Sequence, residues 1–390
     1  MKTYPLSPID HVFTGAGSYP IEFVFAFKDR IDQARLQSSL EETLVHFPPL
    51  RSKLIQLSDT ALGFEPTQDG LVLDITGSPS TFEESEDFSQ FLESVHSVAG
   101  EPLTKIRLTQ TPNGSVLGVS ISHALADGFS YFHFLSCWAR ISRGKPITPP
   151  ACQREFLLPE VTGKEPVTPE HVLNRCGIFW HEKRQTLSRQ QIRWERQLLS
   201  QVTLNQLLSE AQAEHEARLT HNDVLTAYLW KNYVPRWSRR SAPPTAYASV
   251  PVDFRRVLDG LPDTYFGCAV LLAVASIDLE RLESASLGEL ARLVREAVNR
   301  ISEEAVWDSL ETLESIRQER GLAVLEELHV VPPNNGLLVT NLSRIPLQDL
   351  DFGTGPPTGF QILTPAQRGA VILPAEDGVD IRVYHPSGSG

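Results

Sequence analysis

The chain has 390 residues, 41% of them hydrophobic, enough to bury two cores of ordinary domain size. A formal charge of -13 argues against nucleic acid and against an anionic membrane as general partners, and leaves room for a phosphorylated ligand on a local basic patch. The four cysteines, Cys137, Cys152, Cys176 and Cys268, have no metal-ligand spacing, so no metal is expected and they read as free thiols of a cytoplasmic protein.

Met1 to Asp10 lacks the charged-then-apolar pattern of a signal peptide, and no stretch reaches the ~18 apolar residues of a membrane helix. Ile21, Phe23, Phe25 and Phe27 alternate with other residues and predict a strand. After Asp32, the positions of Leu36, Leu40, Leu44 and Phe47 predict a helix that Pro48-Pro49 stops. Lys105 to Thr109 and Ser115 to Ser122 read as strands joined through Thr111-Pro112-Asn113-Gly114, a hairpin signal. The second strand runs straight into His123-Ala124-Leu125-Ala126-Asp127-Gly128, and an aromatic-rich helix is expected from Phe129 to Ile141. Between Gly144 and Pro169 six prolines exclude regular helix or central strand.

Beyond this stretch, three helix starts carry capping patterns: Thr203 before Gln206, Thr220 before Asp223, and Ser286 before Glu289. Strands are expected at Ser249–Val252, where Pro251 is an irregularity, at Ala269–Ala275, Leu337–Thr340, Ala370–Leu373 and Val379–Val383. The pattern is mixed α/β in two domains, residues 1–143 and 191–390, joined by a crossover linker at 144–190. The tail from Pro386 to Gly390 reads as a flexible end.

A histidine at the end of a strand is held firmly, and a neutral imidazole accepts a proton at physiological pH. Asp127, beyond the turn, either orients the ring as in a triad or pairs with an arginine and holds the loop. Gly128 lets the backbone turn sharply or approach a ligand closely. His133 sits among aromatics as a core or lining residue, and His11, His46, His221 and His329 have no constellation around them.

The stretch HALADG resembles the HxxxDG motif of the BAHD acyltransferases, within the superfamily of chloramphenicol acetyltransferase and the condensation domains. Further stretches follow in the family's order. Leu6-Ser7-Pro8-Ile9-Asp10 is similar to LSxxD, and Phe47-Pro48-Pro49-Leu50-Arg51 to the PLAGR segment. Pro149 to Arg154 is similar to PPxxDR. Val252 to Arg255, Leu261-Pro262 and Tyr265-Phe266-Gly267 resemble the DxR, LP and YFGN block, and Asp351 to Gly355 resembles DFGWG. Thr354 stands where Trp is usual, Cys268 where Asn is, and Thr340-Asn341-Leu342 where TSW is. These departures point to a distant, microbial branch.

The resemblance implies a two-domain chloramphenicol-acetyltransferase-like (BAHD) α/β fold, mixed sheets with flanking helices, and an active-site channel between the domains. It implies acyl transfer from acyl-CoA to a hydroxyl or amine of a small-molecule acceptor in specialised metabolism, with no permanent cofactor, by a monomer. His123 is then the general base and Asp127 its catalytic-motif partner, pairing with Arg255. Gly128, Asp351, Gly353 and Gly355 support the site structurally, and Thr340 and Asn341 face the oxyanion. For the CoA phosphates the candidates are Lys231, Arg236, Arg239 and Arg240. A second basic cluster is Lys183, Arg184, Arg189 and Arg193. Phe129, Tyr131, Phe132 and Phe134 divide between channel lining and core. Three alternatives stay open at this point: an acyl donor carried on an acyl carrier protein, a scaffold without catalysis, and a repurposed fold catalysing another reaction.

Overall fold

The computed structural model describes residues 3–15, 18–71, 73–160, 167–181, 193–214, 216–237, 244–333, 335–363 and 369–385. In chain order its first part comprises β1 (Tyr4–Pro5), α1 (Pro8–Val12), β2 (Pro20–Phe27), α2 (Gln33–His46), β3 (Ser52–Gln56), β4 (Leu62–Pro66), β5 (Leu73–Gly77), β6 (Thr104–Thr111), β7 (Gly114–Ser122) and α3 (Gly128–Ser142). After it come α4 (Pro169–Cys176), β8 (Phe179–Trp180), β9 (Trp194–Leu199), α5 (Gln201–Gln212), α6 (His221–Trp237), β10 (Thr245–Asp253) and β11 (Val270–Asp278). The chain ends with α7 (Leu279–Ser284), α8 (Leu287–Asn299), α9 (Glu303–Arg320), β12 (Leu328–His329), β13 (Gly336–Asn341), β14 (Gly359–Ile362), β15 (Gly369–Pro374) and β16 (Val379–Tyr384). This is a mixed α/β architecture, as the motifs implied.

Among the described residues there are four sheets; the two larger have the orders β14-β2-β7-β6-β5 and β11-β10-β13-β15-β16-β9, and the smaller are β1-β4-β3 and β12-β8. In the first, β2 is buried along almost its whole length rather than on alternate residues. The reason is that both faces are covered. Phe23, Phe25 and Phe27 join the core beneath α2 and α3, while Val24 joins a smaller cluster with Phe91, Leu92 and Val116. Helix α2 starts where Asp32 accepts from the Arg35 N–H at 3.0 Å, and buries Leu36, Leu40 and Leu44. The second sheet packs under α6 and α8, which bury Leu229, Trp230, Leu290 and Val294 against it.

Two capping expectations hold at the residues named and one shifts. Ser286 accepts from Glu289 N–H at 3.0 Å, and Thr220 and Asp223 cap each other reciprocally. Thr203, by contrast, lies inside α5. Its N–H donates to Ser200 at 3.2 Å, so Ser200 is the cap and the helix begins a turn earlier.

Strands β10 and β13 are parallel but pair only over Tyr247–Ser249 and Gly336–Leu338. Beyond that point they part, and Pro251, which has no N–H to offer, sits where β10 has no neighbour on that side. A third core cluster, including Ile9, Val12, Phe13, Ala124, Phe254 and Tyr265, packs against the turn after β7. Among the described residues no helix is long and apolar enough to cross a membrane.

Candidate active site

Strand β7 hands the chain to a tight turn at His123–Asp127. Leu125 N–H donates to the Ser122 carbonyl at 2.9 Å and Asp127 N–H to the Gly267 carbonyl at 3.2 Å. Asp127 then caps α3 by accepting from Ser130 N–H at 2.9 Å. The histidine is therefore anchored on both sides, by a sheet and by a helix start.

The His123 imidazole is partly buried. Phe13 stacks on it at 4.0 Å with an 11° tilt, and Tyr19 meets it edge-on at 5.2 Å. Its Nδ1 is buried and bonds to no other described residue, which leaves Nε2 as the nitrogen facing the cavity. Burial pulls its pKa from 6.5 down to about 4, against the upward pull of the Asp127 carboxylate and of its own backbone. The ring is thus neutral at physiological pH and open to a proton.

Asp127 is fully occupied elsewhere. Its Oδ1 also accepts from Arg255 Nη2 at 3.0 Å, and its Oδ2 accepts from Ala269 N–H at 2.9 Å and Arg255 Nη1 at 2.8 Å. Burial favours the neutral acid, but Arg255 and the two backbone donors outweigh it and hold the carboxyl below its usual range. Arg255 also donates to the carbonyls of Tyr265 and Gly267 and to Asp253. Of the two local readings of Asp127, the hydrogen bonds are those of the arginine pair.

A second buried ion pair lies beside it. Asp10 and Arg154, both fully buried, approach to 2.9 Å. Arg154 donates to the carbonyls of Leu125 and Phe266, and Asp10 accepts from Cys268 N–H at 3.2 Å. Four separated motifs, around Asp10, Asp127, Arg154 and Phe266, therefore meet under one turn.

His123 opens on a cavity of about 1360 Å³. Its walls come from where β10 and β13 part, from the first turns of α3, from Ser94–Val98 and from Glu326 to Val331. Thr340 and Asn341 both line it. The Asn341 amide donates to Asn222 at 2.9 Å, whereas the Thr340 hydroxyl has no partner among the described residues. Gly128 lines the cavity too, and a Cβ there would meet only Leu342 at 3.9 Å.

The other expected residues fall further away. Asp351 pairs with Arg143 at 2.8 Å and accepts from the N–H groups of Gly353 and Gly355 at 2.7 and 2.9 Å. These glycines have φ of +103° and +86°. The block thus clasps the far end of α3, a helix of 15 residues, roughly 20 Å from the end at Asp127. Lys231 donates to the Ala285 carbonyl and Arg236 stands over Tyr233, and neither lines the cavity. Arg239, Arg240, Lys183, Arg184 and Arg189 lie outside the described residues. Phe129 and Phe132 line the cavity, while Tyr131 and Phe134 are core. His133 lines it against Phe129, and His329 lines it as well, although no pattern in the sequence set it apart. Phe13, Tyr19 and Asn222 were also not singled out. Phe13 and Tyr19 follow the LSPID stretch closely, and that proximity is the one signal that could have drawn attention to them.

A family model described as the Transferase family matches residues 1–387. Hydroxycinnamoyltransferase 2 of Oryza sativa subsp. japonica is 26% identical over 370 residues, covering 89% of this chain and 82% of that protein. Among solved structures, F. graminearum TRI101 complexed with ethyl coenzyme A superposes with a TM-score of 0.77 at 14% identity, covering 100% of this chain and 96% of that one. Vinorine synthase superposes with a TM-score of 0.72 at 19% identity, covering 100% and 91%.

Proposed function

The chain belongs to the Transferase family and is an acyltransferase of the BAHD type, and from that premise we propose that it moves an acyl group from acyl-CoA to a hydroxyl or amine of a small-molecule acceptor, with His123 as general base. The observation that carries this reading is His123 in the wall of a cavity of about 1360 Å³, its Nδ1 buried and its carboxylate neighbour Asp127 bound to Arg255. Nε2 takes the proton of the acceptor as its oxygen or nitrogen attacks the thioester carbonyl. The Thr340 hydroxyl is the donor we assign to the oxyanion, with Asn341 held by Asn222 as part of the wall. Collapse of the tetrahedral intermediate expels the CoA sulfur, which takes the proton from the imidazolium. Arg255 and Asp127 keep the turn in place and transfer no proton.

In this reading residues 1–143 supply the base, 191–390 supply the facing wall, and 144–190 connect them. The enzyme acts as a cytoplasmic monomer without a permanent cofactor.

The test is thiol release from a panel of acyl-CoA thioesters with hydroxyl and amine acceptors. His123→Ala is expected to lower the rate by about 10²–10⁴-fold. An unchanged rate would remove His123 from the chemistry. Turnover only with a thioester on an acyl carrier protein would replace CoA by that donor.

A further inference from the structure

A general-base histidine needs its ring held in one plane, and in a triad a carboxylate bonded to Nδ1 does this. No such bond occurs among the described residues. Nδ1 of His123 reaches no other described residue, and both oxygens of Asp127, the charged group acting on the ring, are spent on Arg255 and backbone donors. Beside its own backbone, two aromatic rings pack on the imidazole. Phe13 lies parallel on one face at 4.0 Å, Tyr19 presents a perpendicular ring at 5.2 Å, and the two aromatic rings meet each other edge-on at 5.9 Å. Phe13 is buried apart from the edge that it, like Tyr19, presents to the cavity.

We propose that Phe13 and Tyr19 are the positioning residues of His123, an aromatic clamp that fixes the plane of the base by packing where a hydrogen-bonded carboxylate is absent. The clamp has its own foundation. Phe13 ends α1, whose start is fixed by reciprocal hydrogen bonds between Ser7 and Asp10, and Asp10 is tied to Arg154. The LSPID stretch thus acts on the base through α1 and Phe13, without touching the cavity chemistry itself. Packing also keeps water from one face of the ring, in line with its lowered basicity. The proposal rests on His123 acting as the base, but its geometry can be tested apart from turnover.

Two readouts separate a clamp from mere core packing. The first is the titration of His123 by NMR of histidine-labelled protein, assigned by its loss in His123→Gln. The parent ring is expected to titrate near 4, and in Phe13→Ala the value should rise toward the ordinary 6.5. The second is the pH profile of kcat/KM. Protonation silences the base, so activity falls as pH drops through the histidine's pKa, and the acid limb should move up with it in the variant. Phe13→Ala should also lower kcat about 10–100-fold with the donor KM unchanged, as a misplaced base would. Phe13→Tyr keeps the stacked ring and should restore both readouts. Tyr19→Ala removes the edge-on ring and should move the titration and the acid limb in the same direction, and Tyr19→Phe, which keeps the ring, should return both toward the parent values.

Val172→Ala, in the same buried cluster but on α4, is the control for lost packing and should leave the titration in place. The proposal is overturned if Phe13→Ala leaves titration and acid limb where they were, or if Val172→Ala shifts them equally. A Tyr19→Ala titration and acid limb at the parent values would overturn that half of the clamp. If no thioester turns over with the parent protein while the titration shifts as stated, the clamp stands and the acyl-transfer reading fails.

Discussion

The Asp127 carboxylate has left water for four donors, two from one guanidinium and two from backbone. Such a pair adds little stability when intact, because desolvation offsets the attraction, but removing one partner strands the other. Asp127→Asn should therefore destabilise the protein by about 3 kcal/mol, read from urea unfolding, with activity falling alongside. Activity lost at full stability would instead give Asp127 a direct part in proton transfer. Arg255 is enclosed more fully than its pairing alone requires. Its guanidinium lies 4.4 Å from the Phe129 ring, so the positive charge is shared with an aromatic face that borders the cavity.

At the scale of elements, the DFGTG block and the HALADG turn hold opposite ends of α3. At Gly353 the positive φ favours glycine, and a Cβ would lie 3.0 Å from the Arg35 guanidinium, whose Nε donates to the Ser142 carbonyl. Gly353→Ala should cost about 1–2 kcal/mol in unfolding free energy through its backbone, while kcat of the folded enzyme stays within a factor of two. A large loss of kcat without loss of stability would mean that the block reaches the chemistry.

The elements also separate what a sequence reveals from what it conceals. Strands β2, β6, β7, β15 and β16 were legible because their faces are apolar over several residues. Strand β9, with the sequence WERQLL and mostly exposed, and β14, with four residues, carry no such pattern and owe their strand form to partners far along the chain. Thr203 misled because a Thr-x-x-Gln spacing occurred inside a helix already capped by Ser200. At the site, the pairing of Asp127 with Arg255 was legible through the resemblance. The stack of Phe13 on His123 was not, since no spacing rule encodes contact between rings so far apart in the chain. Lys231 and Arg236, grouped by composition with the cations that follow, lie within α6, and composition does not say whether a helix end faces a cavity.

At the scale of the whole molecule, the two sheets are not built from consecutive halves. Strand β14 crosses back to pair with β2 over Phe23–Ala26, closing a sheet whose other strands all lie before residue 123. A fragment of residues 1–143 would leave that edge open along Phe23, Val24 and Phe25, an apolar template for pairing with other chains. Expressed alone it should aggregate, as judged by size-exclusion chromatography, and a stable monomeric fragment would show that β14 is dispensable.

The same crossing sets a clock on synthesis. Thr358 bonds to the Ala26 carbonyl across a separation of 332 residues. At ribosomal speeds that interval lasts roughly 15–70 s, during which the phenylalanine-rich border of the first sheet waits for its last strand. For that period the open edge is exposed to wrong pairing, and slower translation of the second half prolongs that exposure before any question of catalysis arises.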